Sequence, residues 1–154
     1  MDDLKRLIIE NECKKLTVLY CHHLDHPDPT AFANLYSDNA SYKPAVEPVP
    51  IEGRAKIREW MEKYPKHRLG RHVAANQIVE VIDEDNAIGT SYAVVFREPD
   101  PQAGVLSSRV IPRSVVDYSD TYRRTAEGWR FASRSYEIRF LGAGETRRPS
   151  PTAI

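Results

Sequence analysis

An excess of either charge is missing from this chain: 22 Lys+Arg stand against 22 Asp+Glu in 154 residues, a formal net charge of zero with the histidines neutral. So balanced a surface offers no electrostatic grip on phosphate backbones, which excludes nucleic acid as the main partner. Long apolar runs are missing too. Nothing approaches the roughly 20 residues of a bilayer-spanning helix, and Met1-Asp2-Asp3-Leu4-Lys5-Arg6 lacks a secretory leader's apolar centre, so no membrane partner and a cytoplasmic location are expected. Cysteine is scarce. Cys13 and Cys21 lie eight positions apart on one predicted helix, about 12 Å along its axis, which is too far for a disulfide. Neither has a metal-site partner at usual spacing, and both are expected to be core thiols. Ser107-Ser108 has no Gly-x-Ser-x-Gly context, no phosphate-binding glycine loop occurs, and no internal repeat is visible.

What is present describes one ordinary globular domain, 41% hydrophobic and 29% charged. A small, uncharged or weakly charged ligand suits it best. Residues 3–24 predict a helix, with Leu4, Leu7, Ile8, Leu16, Leu19 and Tyr20 as its buried stripe. Pro27 ends it, and Asp28-Pro29 reads as an N-cap followed by proline at the first helical position. The short helix beyond carries Phe32, Leu35 and Tyr36. Ser37-Asp38-Asn39 reads as a turn, 40–43 as a short strand, and 44–50, with its three prolines, as a loop. A third helix is predicted over 53–64, where Ile57, Trp60, Met61 and Tyr64 form a core stripe; Trp60 is also taken as a substrate-contacting wall residue.

From there the pattern turns to strands. The runs 72–82, 87–97, 110–124 and 129–140 are β-rich, joined at 83–86 and 125–128 by turn sequences of hairpin length. The connection 98–113 is long enough to be a mobile lid or a partner contact. The domain is expected to span 1–141, with 142–154 as a tail, disordered or docked on a neighbouring subunit. Helices followed by antiparallel strands give an α+β domain, its helices covering one face of a strongly curved sheet whose concave side can hold a ligand.

Alternation along the first long strand places His72, Ala74, Asn76 and Ile78 on one face and Val73, Ala75, Val79 and Val81 on the other. The first face mixes a titratable ring and an amide with apolar residues, as a ligand-binding face would. Tyr118, Asp120 and Tyr122 share a face, as do Arg134, Tyr136 and Ile138. A mid-strand Arg134 requires a carboxylate or an anionic ligand group; Asp120 as partner and a substrate-contacting role both stay open. His22, His23 and His26 beside Asp25 suggest a metal cluster only superficially, because adjacent helical histidines point about 100° apart. Asp25 itself could be a local turn residue, His72 a satisfied core histidine, and Tyr20 a packing residue.

The element order, with Leu16-x3-Tyr20-x4-Asp25, Leu35-Tyr36-Ser37-Asp38-Asn39-Ala40, Gly53-x3-Ile57, His72-x3-Asn76-x-Ile78 and Tyr118-x-Asp120-x-Tyr122-x6-Gly128-Trp129-Arg130, resembles the SnoaL-like branch of the nuclear transport factor 2 superfamily over about residues 5–140. The resemblance implies a cone-shaped α+β barrel, a strongly curved and mostly antiparallel sheet wrapped round N-terminal helices. Within the superfamily the arrangement is most similar to scytalone dehydratase, bile-acid 7α-dehydratase and hexachlorocyclohexane dehydrochlorinase, whose Asp–His pair is the base unit without a cofactor. Asp25 and His72 match that pair. Tyr20 matches a catalytic tyrosine of the bile-acid enzyme, and Arg134 an active-site arginine of the dehydrochlorinase. Two departures stand out: the dehydrochlorinase has lysine where this chain has Tyr20, and the second pocket histidine of scytalone dehydratase has no counterpart on 87–97.

The resulting expectation is a cofactor-independent, dehydratase-like lyase for a small, largely apolar hydroxy-carbonyl or polycyclic substrate. Asp25, His72 and Tyr20 would be catalytic; Asn76, Tyr118, Arg134 and Trp60 would bind substrate; no metal is expected. Isomerisation or polyketide cyclisation would use the same base, and a non-catalytic ligand-binding protein is the reading from another class. An outer face with Val73, Val79 and Val81 implies a homo-oligomer, a trimer in preference to a dimer.

Overall fold

The computed structural model describes residues 1–145. Helix α1 (Asp3–Asp25) begins where the Asp2 carboxylate accepts the Lys5 amide at 2.7 Å and ends where the His26 amide bonds the His22 carbonyl at 2.8 Å. Pro27 and Pro29 forbid its continuation. Its buried face runs through Ile9, Cys13, Leu16, Tyr20 and Leu24. That choice of face turns Leu4, Leu7 and Ile8 outward, contrary to the stripe expected from sequence; they are more than half exposed. Helix α2 (Pro29–Ala33) is capped by Asp28, whose side chain accepts the Ala31 amide.

Strand β1 (Tyr36–Lys43) absorbs Ser37-Asp38-Asn39, expected as a turn; the irregularity appears instead as a register shift between Tyr36 and Ser41. A two-residue β2 (Ile51–Glu52) precedes helix α3 (Arg54–Glu62). The remaining strands are β3 (Leu69–Val81), β4 (Asn86–Glu98), β5 (Ser114–Thr125) and β6 (Gly128–Leu141). Val110 to Arg113, assigned to the third run from composition, stay outside β5 because Pro112 interrupts the ladder. The six strands form one sheet in the order β2-β1-β6-β5-β4-β3, antiparallel except for the parallel pair β1–β6. This is an α+β fold, the sheet curled round the helices with β2 and β3 as its edges.

One bulge shapes the site. Between Ala75 and Ile78, β3 places two residues against one of β4. Asn76 takes φ +51°, a left-handed conformation that asparagine tolerates better than most residues. Opposite, Gly89 leaves the room the bulge needs: a Cβ there would come within 2.9 Å of the Ile78 carbonyl and 3.0 Å of the Tyr122 ring. The bulge reverses the facing of every later residue in the strand. Val79 and Val81 therefore face the core and Ile78 faces out, the opposite of simple alternation. The apolar outer surface consists of Val73, Ile78, Ile88 and Tyr92 instead.

The core is rich in aromatic residues. Tyr20, Phe32, Tyr36, Tyr42, Trp60 and Phe131 make tilted and edge-on contacts with centroids 5.2–6.4 Å apart, each such pair contributing about 0.5–1.5 kcal/mol beyond simple burial. No helix among the described residues is long and apolar enough to cross a membrane. Of the expected tail, residues 142–145 fold back through the Gly142 amide onto the Arg113 carbonyl at 2.8 Å; 146–154 lie outside the described residues.

Candidate active site

Asp25 and His72, 47 positions apart, meet because the end of α1 packs against the open edge of the sheet. An edge strand leaves every second amide unpaired, and at His72 that amide donates to Asp25 Oδ2 at 2.9 Å. The same carboxylate takes the ring: His72 Nδ1 lies 2.6 Å from Asp25 Oδ1. Both side chains are over 90% buried. Asp25 thus fixes the backbone, the ring orientation and the tautomer together, leaving Nε2 as the basic nitrogen.

Burial pushes the Asp25 carboxyl up, but hydrogen bonds from His72 and the charges of His72 and Arg71 outweigh it, holding the group below its ordinary range. The imidazole moves down as well. Burial dominates, Asp25 opposes it, and Arg97 and Arg68 add to the fall, so His72 titrates below its ordinary 6.5. At neutral pH the pair is carboxylate plus neutral imidazole, the form a general base requires. A reaction limited by this base should keep its rate as pH falls through 6.5 and lose it only below. A pH–rate profile checks this, and an acid limb centred at or above 6.5 contradicts it.

His72 forms part of the wall of a cavity of about 500 Å³ between the concave face of the sheet, α1 and α3. Tyr20, Tyr42, Trp60, Tyr118 and Tyr136 supply much of that wall, with Leu24, Val95, Val116 and Ile138 as apolar patches. The Tyr20 and Tyr42 hydroxyls bond each other at 2.8 Å. Burial keeps both phenols well above their ordinary values, so they act as neutral donors. Trp60 lines the cavity while its indole N–H donates to the buried Glu47 at 2.9 Å, which fixes the ring from outside.

Two expected substrate-binding residues stand elsewhere. Asn76 is exposed on the bulge, where its left-handed backbone turns it from the concave face, and it takes no part in the wall. Arg134 is buried behind the wall. Its guanidinium bonds Asp120 at 2.8 and 3.0 Å and Thr17 at 3.1 Å, and stacks 4.2–4.4 Å from the rings of Tyr20, Tyr118 and Phe131. Of the two partners left open, Asp120 is the one present, directly across from Arg134 in the β5–β6 register.

Tyr42, Tyr136, Arg68, Arg97 and Arg113 also line the cavity and were not singled out from sequence. The alternation of Arg97 with Val95 along one strand could have signalled it; the loop-borne Arg68 and Arg113 give no periodic signal. Cys13 and Cys21 are buried thiols, pushed up to about 12 and about 11 by burial. The His22 ring contacts those of His23 and His26, and no group of three or more His, Cys, Asp or Glu side chains placed to hold a metal ion occurs among the described residues.

The family model of the SnoaL-like domain matches residues 5–135. No curated protein matches. Among solved structures, a Mycobacterium tuberculosis protein of unknown function is similar at 23% identity and a TM-score of 0.72, over 92% of this chain and 78% of that one. A hexachlorocyclohexane dehydrochlorinase from Novosphingobium barchaimii is similar at 16% identity and a TM-score of 0.74, over 96% and 99%. A candidate scytalone dehydratase from Novosphingobium aromaticivorans gives 16% and 0.73, over 97% of both chains. At such identities the likeness is one of fold.

Proposed function

The chain belongs to the SnoaL-like domain family, and from that premise we propose that it is a dehydratase-like lyase acting on a small, largely apolar hydroxy-carbonyl or polycyclic compound. The Asp25–His72 contact of 2.6 Å at the wall of a partly open, mainly apolar cavity carries this reading. Nε2 of His72 removes a proton from the carbon beside a carbonyl. The C–H electron pair becomes the new C=C bond while the β C–O bond breaks. The leaving oxygen departs as water, taking a proton supplied through the hydrogen-bonded Tyr20–Tyr42 pair. The imidazolium formed is stabilised by Asp25 until its proton passes, through the released water, to the tyrosine pair, which restores both groups for the next turnover. No cofactor enters this scheme. Trp60 and Tyr118 position the substrate's apolar body against the wall, and Arg134 acts from behind by holding the Tyr20 and Tyr118 rings.

The same base would serve an isomerase or a cyclase, so the identity of the product decides. A panel of β-hydroxy ketones, β-hydroxy thioesters and hydroxysteroids should contain a compound that loses water in the presence of the protein, read by mass spectrometry and by the new conjugated chromophore. Products of unchanged mass would replace elimination by isomerisation.

A further inference from the structure

The cavity wall carries four cationic side chains, Lys63, Arg68, Arg97 and Arg113, and no Asp or Glu among the described residues. Such a wall disfavours cations and favours anions. Three of the four are exposed or engaged. Lys63 is exposed, Arg68 stacks 4.3 Å over the Tyr64 ring, and Arg113 is paired with Glu145 at 3.2 Å.

Arg97 differs. Its Nε is buried and meets no hydrogen-bond acceptor among the described residues, and no carboxylate there pairs with its guanidinium. Arg54 and Arg130 also leave Nε unmatched, yet both carry ion-paired nitrogens, and Arg68 leaves Nη1 unmatched while its guanidinium lies over the Tyr64 ring. Burial, with Arg68 and Arg113 nearby, brings Arg97 down to about 10, against the favourable influence of Tyr64 and Tyr136. A half-buried guanidinium without a counter-charge is costly and is relieved by an anion in the cavity.

Its position relative to the base is set by register. Val95 stands opposite His72 and Arg97 opposite Gly70, so Arg97 is the next same-face position along β4, about 7 Å from Val95 along the strand. The planar fork of one arginine fits a carboxylate's two oxygens. Arg113 already has Glu145 as its counter-charge, Arg68 lies against the Tyr64 ring and Lys63 faces solvent, so Arg97 is the half-buried cation of the wall to which one carboxylate is assigned. We infer that the substrate is a monocarboxylate, its carboxylate seated on Arg97 while His72 faces a C–H several bonds away. This rests on the lyase reading of the site and adds the substrate class to it.

The test measures binding, independent of turnover. Naphthylacetate, naphthylacetamide and naphthyl phosphate are titrated by calorimetry into the wild type and the R97Q, R97K and H72A variants, with folding verified by circular dichroism. The wild type should bind the carboxylate at least about tenfold more tightly than the amide, since only the carboxylate forms a charge-assisted bond with the guanidinium. In R97Q the ratio should fall to near unity with amide affinity unchanged, and R97K should restore part of it. H72A should keep the wild-type ratio whatever its turnover, which separates this inference from the assignment of the base. An absent carboxylate preference in the wild type, a preference retained in R97Q, or tighter binding of the phosphate would overturn it.

Discussion

Replacing His72 with alanine should lower turnover of any dehydrated substrate by roughly 10²–10⁴-fold, the range a positioned general base supplies, and should leave the protein folded. The geometry separates the two effects. Of the two hydrogen bonds between Asp25 and His72, only the one at 2.6 Å uses the ring; the one at 2.9 Å uses the main-chain amide and survives the substitution. Asp25 therefore keeps a partner, and the end of α1 keeps its anchor on β3. Asp25→Asn should also reduce kcat, for a different reason. Its carboxamide can accept the main-chain amide through oxygen, but its NH₂ then faces Nδ1 and selects the tautomer protonated on Nε2, which is no base. Steady-state kinetics with urea unfolding of each variant distinguishes these outcomes. Near-normal turnover in His72→Ala would remove the mechanism, whereas normal kinetics in Asp25→Asn alone would mean that the ring needs no help in choosing its tautomer.

The sequence carried the order of elements and the meeting of Asp25 with His72 because those features follow from local chemistry. Asp25 sits where prolines must stop a helix, and His72 near the start of a long β-rich run. What stayed hidden depended on long-range register. The extra residue at Asn76 and Gln77 is silent in composition, yet it exchanges Ile78 for Val79 on the inner face and turns Asn76 outward. The buried stripe of α1 failed for a related reason. Leu4, Leu7 and Ile8 have the spacing of a core face, but the helix is rotated by the demands of Ile9, Cys13 and Leu16 against the sheet. Arg97 was passed over because a charged residue near a strand end usually reads as a solvated one. Only the curl of the sheet brings it into the cavity.

Arg134 shows how a residue can serve a site without touching what the site holds. Arg134→Ala should destabilise the protein by about 3–5 kcal/mol, because it strands a charge rather than merely deleting a contact. Asp120 is 4% exposed and would keep the Tyr122 hydroxyl at 3.0 Å as its remaining side-chain partner. Three aromatic faces would lose the cation they enclose at 4.2–4.4 Å. Domains of this size are typically stable by only about 5–15 kcal/mol, so this single change should bring the fold near its limit. Urea unfolding should show it as a lower midpoint with an unchanged slope. Removing both charges, as in Arg134→Met with Asp120→Leu, should recover most of the loss, since an apolar pair of similar volume avoids the desolvation both ions suffer. Activity should not recover to the same extent: Tyr20 and Tyr118 would no longer be held by the guanidinium between them, and a small shift of those rings misplaces the proton donor and the cavity wall. A double variant restored in both stability and kcat would reduce Arg134 to a packing element. A stable variant with depressed kcat and little change in KM identifies it as the residue that positions the tyrosines.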